Sequence, residues 1–120
     1  MLNKTKAGIK GETTAIDYLE KSGYKILERN WRFKRAEIDI IAKEIATDIL
    51  VFIEVKARSY DYFGEPELSV NEKKILLISD AAAAYMEKIS YSWEIRFDII
   101  SIVFDSKIPK INHFKDAFLI

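Results

Sequence analysis

The apolar positions in the first part of the chain have a helical spacing. Ile9, Ile16 and Leu19 are separated by seven and three residues, the intervals that place side chains on one face of a helix. Gly23 follows the pattern directly and is typical of a helix end. We therefore predict a first helix from about Lys4 to Lys21.

Three strands are predicted after this helix, because runs of alternating and apolar residues follow it. They are expected at residues 24–33, 36–43 and 49–58. The turn at residues 45–48 lacks glycine, so it is a weaker turn pattern. Residues 59–68 contain Gly64 and Pro66, which predict an irregular loop.

A second helix is predicted after this loop. Ser69 and Glu72 have the spacing of a capping box, and the helix should continue to about Lys88. Its apolar side would contain Ile75, Ile78, Ala82, Tyr85 and Ile89. A fourth strand is expected at residues 94–104, and a last short one between residues 111 and 119. The fold class is therefore α/β, a mixed sheet flanked by helices.

Length and composition indicate one domain, residues 1–120, with 49% hydrophobic and 32% charged residues. The sequence has no cysteine, no cationic leader and no apolar run long enough to cross a bilayer. We expect a cytosolic protein without a membrane partner. Because the formal net charge is zero, nucleic-acid binding would require a local basic patch.

One basic patch is present between Tyr24 and Arg35, where Trp31 and Phe33 are interleaved with cations. Its five cations are Lys25, Arg29, Arg32, Lys34 and Arg35. Cations with aromatic residues suit a surface that follows a nucleic-acid backbone. The alternative is an edge strand that charged side chains protect from pairing with another sheet.

Charged residues interrupt the second and third predicted strands. These residues are Glu37, Asp39, Glu54 and Lys56. A four-residue turn would pair Glu44 with Ile49, which places Asp39 opposite Glu54 and Glu37 opposite Lys56. A five-residue turn would instead send the two sets to opposite faces.

The first of these registers puts three acids and one lysine on a largely apolar face. Glu12, inside the apolar stripe of the first helix, would add a fourth acid. Clustered like charges are costly to bury, and a divalent cation such as Mg²⁺ or Mn²⁺ would offset them. The alternative is a structural ion-pair cluster around Lys56, which would hold the hairpin in register.

Asp39 followed by Glu54-Val55-Lys56 resembles the PD-(D/E)xK motif of the restriction-endonuclease-like superfamily. A wider set of segments resembles the YraN-like family of uncharacterised bacterial proteins: GETTAIDYL, GYKILERNWR, AEIDIIA, VFIEVKARS, FGEP, Lys73-Lys74 and RFDII. The resemblance extends from Gly11 to about Phe118. Ala36 stands where this family usually has glycine before EID.

This resemblance implies an αβββαβ core related to Holliday-junction resolvases, with a divalent-metal site. Asp39, Glu54 and the backbone carbonyl of Val55 would bind Mg²⁺ or Mn²⁺. Lys56 would orient or deprotonate the attacking water and stabilise charge on the phosphate. Glu12 would support the metal or the water, and Glu37 would assist catalysis or pair with Lys56.

The expected partner is nucleic acid, DNA rather than RNA. The candidate contacts are Arg29, Arg32, Arg35, Arg58 and Lys73. His113, the single histidine, is expected at the surface or a strand edge. Related resolvases act as dimers on symmetric junctions, which by analogy suggests a homodimer.

Three functional hypotheses follow. The first is a metal-dependent nuclease acting on branched or single-stranded DNA. The second is a nucleic-acid-binding module that retains the fold without turnover, and the third is an interaction protein with a structural acidic cluster. The intact set of Asp39, Glu54 and Lys56 favours the first.

Overall fold

The computed structural model describes residues 6–59 and 71–118. These residues form α1 (Lys6–Lys21), β1 (Tyr24–Phe33), β2 (Ala36–Glu44), β3 (Ile49–Arg58), α2 (Glu72–Lys88), β4 (Ile95–Val103) and β5 (Lys110–Phe114). The five strands form one sheet in sequence order, and β3–β4 is parallel while the other pairs are antiparallel. The predicted α/β fold with a mixed sheet is confirmed. Neither α1 nor α2 is long and apolar enough to cross a membrane.

The two faces of the sheet carry separate hydrophobic cores. Leu50 and Phe52 pack with α2, whereas Val51 and Ile53 pack with α1. Because side chains alternate along a strand, these pairs of β3 residues point to opposite faces. The sheet is therefore covered by α1 on one side and by α2 on the other.

The buried face of α1 agrees with the predicted stripe at Glu12, Ile16 and Leu19 but not at Ile9. Ile9 is 50% exposed, while Glu12, Ala15 and Leu19 are buried. Gly11 explains the difference, because a Cβ atom there would lie 2.4 Å from the Cβ atom of Ala57 on β3. Only glycine allows so close an approach, so the helix turns this face to the sheet.

The turn between β2 and β3 has the predicted length and register. Glu44 pairs with Ile49, and the ladder continues to Ile40 and Ile53. Asp48 has a φ of 61°, and its N–H donates to the carbonyl of Glu44 at 2.8 Å. Aspartate tolerates this left-handed conformation, so the turn needs no glycine.

The start of α2 was predicted at the wrong residue. Asn71 is the N-cap, and its side-chain Oδ1 accepts a hydrogen bond from the N–H of Lys74 at 2.8 Å. Ser69, the predicted cap, lies outside the described residues, as does most of the predicted loop at residues 59–68. Asparagine is as effective a helix cap as serine. With Asn71 as the cap, the helix begins at Glu72.

Candidate metal and nucleic-acid site

Strands β2 and β3 stop pairing at the position of Asp39. The last partners of the ladder are Ile40 and Ile53. Beyond them, Asp39 Oδ2 accepts a hydrogen bond from the backbone N–H of Val55 at 2.8 Å. The Asp39 carboxylate thus accepts the hydrogen bond of the Val55 N–H in place of a backbone carbonyl. The register predicted Asp39 opposite Glu54 and Glu37 opposite Lys56. Both positions lie beyond the last ladder partners, and neither is part of the β2–β3 ladder in the described strands.

The alternation of β2 changes at the same place. Ile38 belongs to the core under α2, but Ile40 belongs to the core under α1. On β1, Asn30 lies opposite this step and has a φ of 54°. The two neighbouring strands therefore share a local irregularity, which places Asp39 beside an opening in the sheet.

A pocket of about 530 Å³ opens between this irregularity and the N-terminus of α2. Its charged lining residues are Arg35, Glu37, Asp39, Glu54, Lys73 and Lys74. Asp39 is 8% and Glu54 9% exposed. Val55 and Asn71 also line it, and the side chain of Val55 packs partly into the core under α1. The pocket therefore combines two buried carboxylates with cations.

Lys74 is the counter-charge of Glu54. Its Nζ atom forms a salt bridge with Glu54 Oε2, and the lysine side chain is 45% exposed. The Asn71 cap bonds the backbone N–H of Lys74 and so fixes the first turn of α2 beside the strand. This pair was not predicted from the sequence, because no periodicity brings position 74 to position 54, which lies on another element.

Two predicted catalytic residues lie outside the pocket lining. Lys56 is half-buried on β3, two residues after Glu54. Glu12 is 3% exposed and lies on the α1 side, where its Oε1 is 3.7 Å from Arg29 Nε. Among residues 6–59 and 71–118, no three acidic, histidine or cysteine side chains are grouped closely enough to hold a metal ion together.

The predicted nucleic-acid contacts are distributed unevenly. Arg35 and Lys73 are exposed at the pocket, and Arg32 is exposed on β1. Arg29 is engaged by Glu12 and also donates to Thr13 Oγ1 at 2.9 Å. Arg58 is half-buried at the end of β3.

The carboxylates of Asp39 and Glu54 suit a divalent cation. Magnesium is usually held by one or two carboxylates, and waters and substrate phosphates complete its coordination. Both carboxylates line the same pocket, and its cations supply positive charge for such phosphates. Asp39 and Glu54 are therefore two residues of this pocket that could hold Mg²⁺ or Mn²⁺, with waters or a phosphate as further ligands.

A second polar cluster, here called the α1-side network, lies under α1 at the other face. It consists of Tyr18, Tyr24, Glu44, Arg96, Asp98 and His113. Asp98 is fully buried, and its carboxylate is bound by Arg96 at 2.9 Å and His113 at 2.7 Å. It also accepts the backbone N–H of Asp116 at 3.1 Å.

His113 belongs to this network: of its two expected positions, the strand edge is confirmed and the surface is not. It lies in the edge strand β5, but its side chain is only 6% exposed. Its Nδ1 atom is 2.9 Å from the hydroxyl of Tyr18, and its Nε2 atom faces Asp98. The sequence did contain one indication of this cluster. Arg96 and Asp98 are two residues apart on one strand, so their side chains point to the same face of the sheet.

Hydrogen bonding shifts the pKa values in this network. Burial alone would raise the pKa of Asp98, but the bonds from His113, Arg96 and the Asp116 N–H outweigh it and lower that pKa. The Thr47 hydroxyl is the main cause that lowers the pKa of Glu44 to about 2. Burial and the bond to Glu44 raise the pKa of Tyr24 to about 12.

Comparisons with known proteins match this chain to members of one protein family. The model of the uncharacterised protein family UPF0102 matches residues 11–102. A UPF0102 protein of Flavobacterium psychrophilum is 47% identical over 90% of this chain and 89% of its own length. One from Geobacter metallireducens is 43% identical over 98% and 95%, and one from Thermodesulfovibrio yellowstonii is 44% identical over 96% and 97%.

Proposed function

The chain belongs to the uncharacterised protein family UPF0102, the YraN-like family, and we propose that it is a divalent-metal-dependent nuclease that hydrolyses phosphodiester bonds in DNA. The family name assigns no activity, so the proposal rests on the pocket. Its main support is the pair of nearly buried carboxylates, Asp39 and Glu54, placed where β2 and β3 separate and facing cations from α2. Branched or single-stranded DNA is the proposed substrate.

Each residue of the pocket has a proposed task. Asp39 and Glu54 would hold Mg²⁺ or Mn²⁺, and the hydrogen bond from Val55 fixes the orientation of the Asp39 carboxylate. The bound cation would supply an activated water and polarise a phosphoryl oxygen. Arg35 and Lys73 bind substrate phosphates at the pocket. Glu37 lines the pocket as a further acid, while Glu12 lies beside Arg29 and we assign it no step.

Lys56 is the proposed catalytic lysine. It follows Glu54 by two residues on the same strand, so both side chains point to the same face of the sheet. From there it orients or deprotonates the attacking water and stabilises negative charge on the phosphate. Charge stabilisation uses the compact ammonium form, whereas removal of a proton from water uses the neutral amine, which becomes the ammonium; a guanidinium reproduces neither.

A cleavage assay with Lys56→Ala tests this function. Flap, junction, single-stranded and duplex DNA, with RNA of the same sequence, are incubated with Mg²⁺ or Mn²⁺. We expect wild-type cleavage of at least one DNA substrate and a loss of roughly a hundredfold or more in Lys56→Ala, with little change in affinity. Lys56→Arg should rescue poorly. Lys88→Ala, which removes an exposed lysine at the end of α2, is the matched control.

A binding module without turnover is the second candidate. The pairing of Glu54 with Lys74 favours it, because a neutralised carboxylate needs no metal. This candidate predicts that the wild type binds branched DNA but cleaves nothing with either metal, and that Lys56→Ala behaves identically. Metal titration accompanies the assay, since a pocket that binds no metal would leave hydrolysis without a mechanism.

A further inference from the structure

Lys74 occupies the pocket in a way that conflicts with a cation bound to Glu54. Its ammonium group contacts the same carboxylate that the proposed function assigns to the metal. Two cations on one carboxylate repel each other at close range. The divalent ion and the Lys74 ammonium therefore compete for Glu54.

The environment of Lys74 permits its side chain to leave. Its side chain is 45% exposed, whereas Glu54 is 9% exposed and lies in a central strand. Lysine has a long flexible stem, so its ammonium can move several ångströms while the backbone stays fixed by Asn71. The carboxylate stays in place and the lysine is the movable partner.

A released Lys74 would still face the pocket. Arg35 and Lys73 line the same cavity, and Lys74 itself lies in the first turn of α2. Backbone N–H groups at a helix N-terminus attract anions, and the ammonium would add a mobile positive charge there. A phosphate of the nucleic acid is the anion that the proposed function brings to this place.

We propose that Lys74 is an exchangeable counter-ion: it neutralises Glu54 when no divalent cation is bound, and it moves to a substrate phosphate when the cation binds. This inference rests on the proposed function and adds a coupling between metal and DNA. Metal binding frees Lys74 for the phosphate, and phosphate binding keeps Lys74 away from Glu54. Each ligand therefore strengthens binding of the other by the same factor.

Isothermal titration of Mn²⁺ in the absence of DNA tests the first half. Lys74→Ala should bind Mn²⁺ about fivefold more tightly than the wild type, because the competing ion pair is gone. Lys73→Ala is the matched control, since it removes the same charge one residue away and Lys73 lies in the same turn of α2. Both substitutions keep the backbone N–H groups and favour helix, and circular dichroism with thermal melting verifies the fold.

A double-mutant cycle tests whether the effect of Lys74→Ala on Mn²⁺ affinity depends on the Glu54 carboxylate. In the background of Glu54→Gln, replacing Lys74 by alanine should leave Mn²⁺ affinity unchanged. The second half is tested with branched DNA: Mn²⁺ should increase the DNA affinity of the wild type and of Lys88→Ala, which changes an exposed lysine of α2 outside the pocket lining, several-fold more than that of Lys74→Ala. Catalysis need not occur in any of these measurements.

The outcomes separate the inference from the function. Equal Mn²⁺ affinity for wild type and Lys74→Ala, or an equal gain in Lys73→Ala, would overturn the exchange while leaving a metal-binding pocket. Absence of Mn²⁺ binding in all variants would overturn both the exchange and the nuclease. Tighter binding confined to Lys74→Ala, and abolished in the Glu54→Gln background, supports it.

Discussion

The pocket and the α1-side network both contain carboxylates of an otherwise apolar sheet. The two regions differ in the partners that bind these carboxylates. In the network, Asp98 is fully buried and accepts hydrogen bonds from Arg96, His113 and the backbone of Asp116. In the pocket, Glu54 faces an open cavity and is paired with a half-exposed lysine. The first arrangement stabilises the fold, whereas the second leaves a charge that a ligand can use.

The largest expected effect is on stability, from Asp98→Ala. It leaves the Arg96 guanidinium, 12% exposed, without its main counter-charge inside the protein. We expect a loss of about 3–5 kcal/mol in the free energy of unfolding, measured by urea denaturation. Asp105→Ala, which removes an exposed carboxylate paired with Lys110, should cost less than about 1 kcal/mol. Similar losses in both variants would show that burial in the network gives Asp98 no more weight in stability than an exposed ion pair has.

The network should also govern acid unfolding. The pKa of Glu44 is about 2 in the folded protein, against 4.5 for an ordinary glutamate, and that of Asp98 is lowered as well. A carboxylate with a lowered folded pKa stabilises the protein fully above its unfolded pKa, and this stability is lost as pH falls toward the folded value. The free energy of unfolding should therefore decrease from pH 4.5 toward pH 2.

Urea titrations across this pH range measure the decrease. Glu44→Gln should flatten it, because the amide does not titrate. Glu87→Gln, which changes an exposed glutamate of α2, should leave the curve as in the wild type. An unchanged curve in Glu44→Gln would show that this carboxylate does not contribute to acid stability.

Removing the negative charge of either pocket carboxylate should lower the free energy of unfolding less than Asp98→Ala does. Asp39→Asn keeps an oxygen that can accept the Val55 N–H, and Glu54→Gln loses a half-exposed ion pair. We expect each variant to fold with a free energy of unfolding within about 1 kcal/mol of the wild type in metal-free buffer. Both variants should bind Mn²⁺ measurably but more weakly than the wild type, because each loses one of the two carboxylate ligands. If both variants fail to fold, the acids are a structural cluster.

The smallest expected effect concerns the exposed cations beside the pocket. Arg29, Arg32 and Arg35 are all exposed, but the guanidinium of Arg29 is already engaged by Glu12. Replacing Arg32 and Arg35 by alanine should reduce the slope of log affinity against log salt on duplex DNA by about 0.9 for each phosphate that is no longer neutralised. Lys88→Ala serves as the control. An unchanged slope would assign these arginines to protection of the β1 edge.

Local patterns predicted most of the fold. The turn of four residues determined the register of Glu44 with Ile49, because the length of a hairpin loop decides which residues face each other. Asp48 replaced the expected glycine through its tolerance of positive φ. One error was local, because asparagine and serine are equivalent as caps. The other was not, because the close approach of Gly11 to Ala57 depends on tertiary packing.

The polar sites were less predictable, since they depend on contacts between distant segments. Tyr18 meets His113 across 95 residues, and Lys74 meets Glu54 from another element. No spacing rule relates such positions. The sequence could suggest that Asp39 and Glu54 lie close together only because one hairpin carries both residues. They line the same pocket, although they are not partners in the β2–β3 ladder. Glu12 was correctly expected to be buried, but its neighbour Arg29 follows from the rotation of α1 on the sheet.

The parallel pairing of β3 with β4 has a consequence for the order of folding. The three strands β1 to β3 are joined by short turns, whereas β4 must wait for the crossover formed by residues 59–94. Closing such a long loop costs chain entropy before its contacts form, so local hairpins precede it. The carboxylates of Asp39 and Glu54 are thus brought together by the early meander, and Lys74 reaches them only when α2 docks.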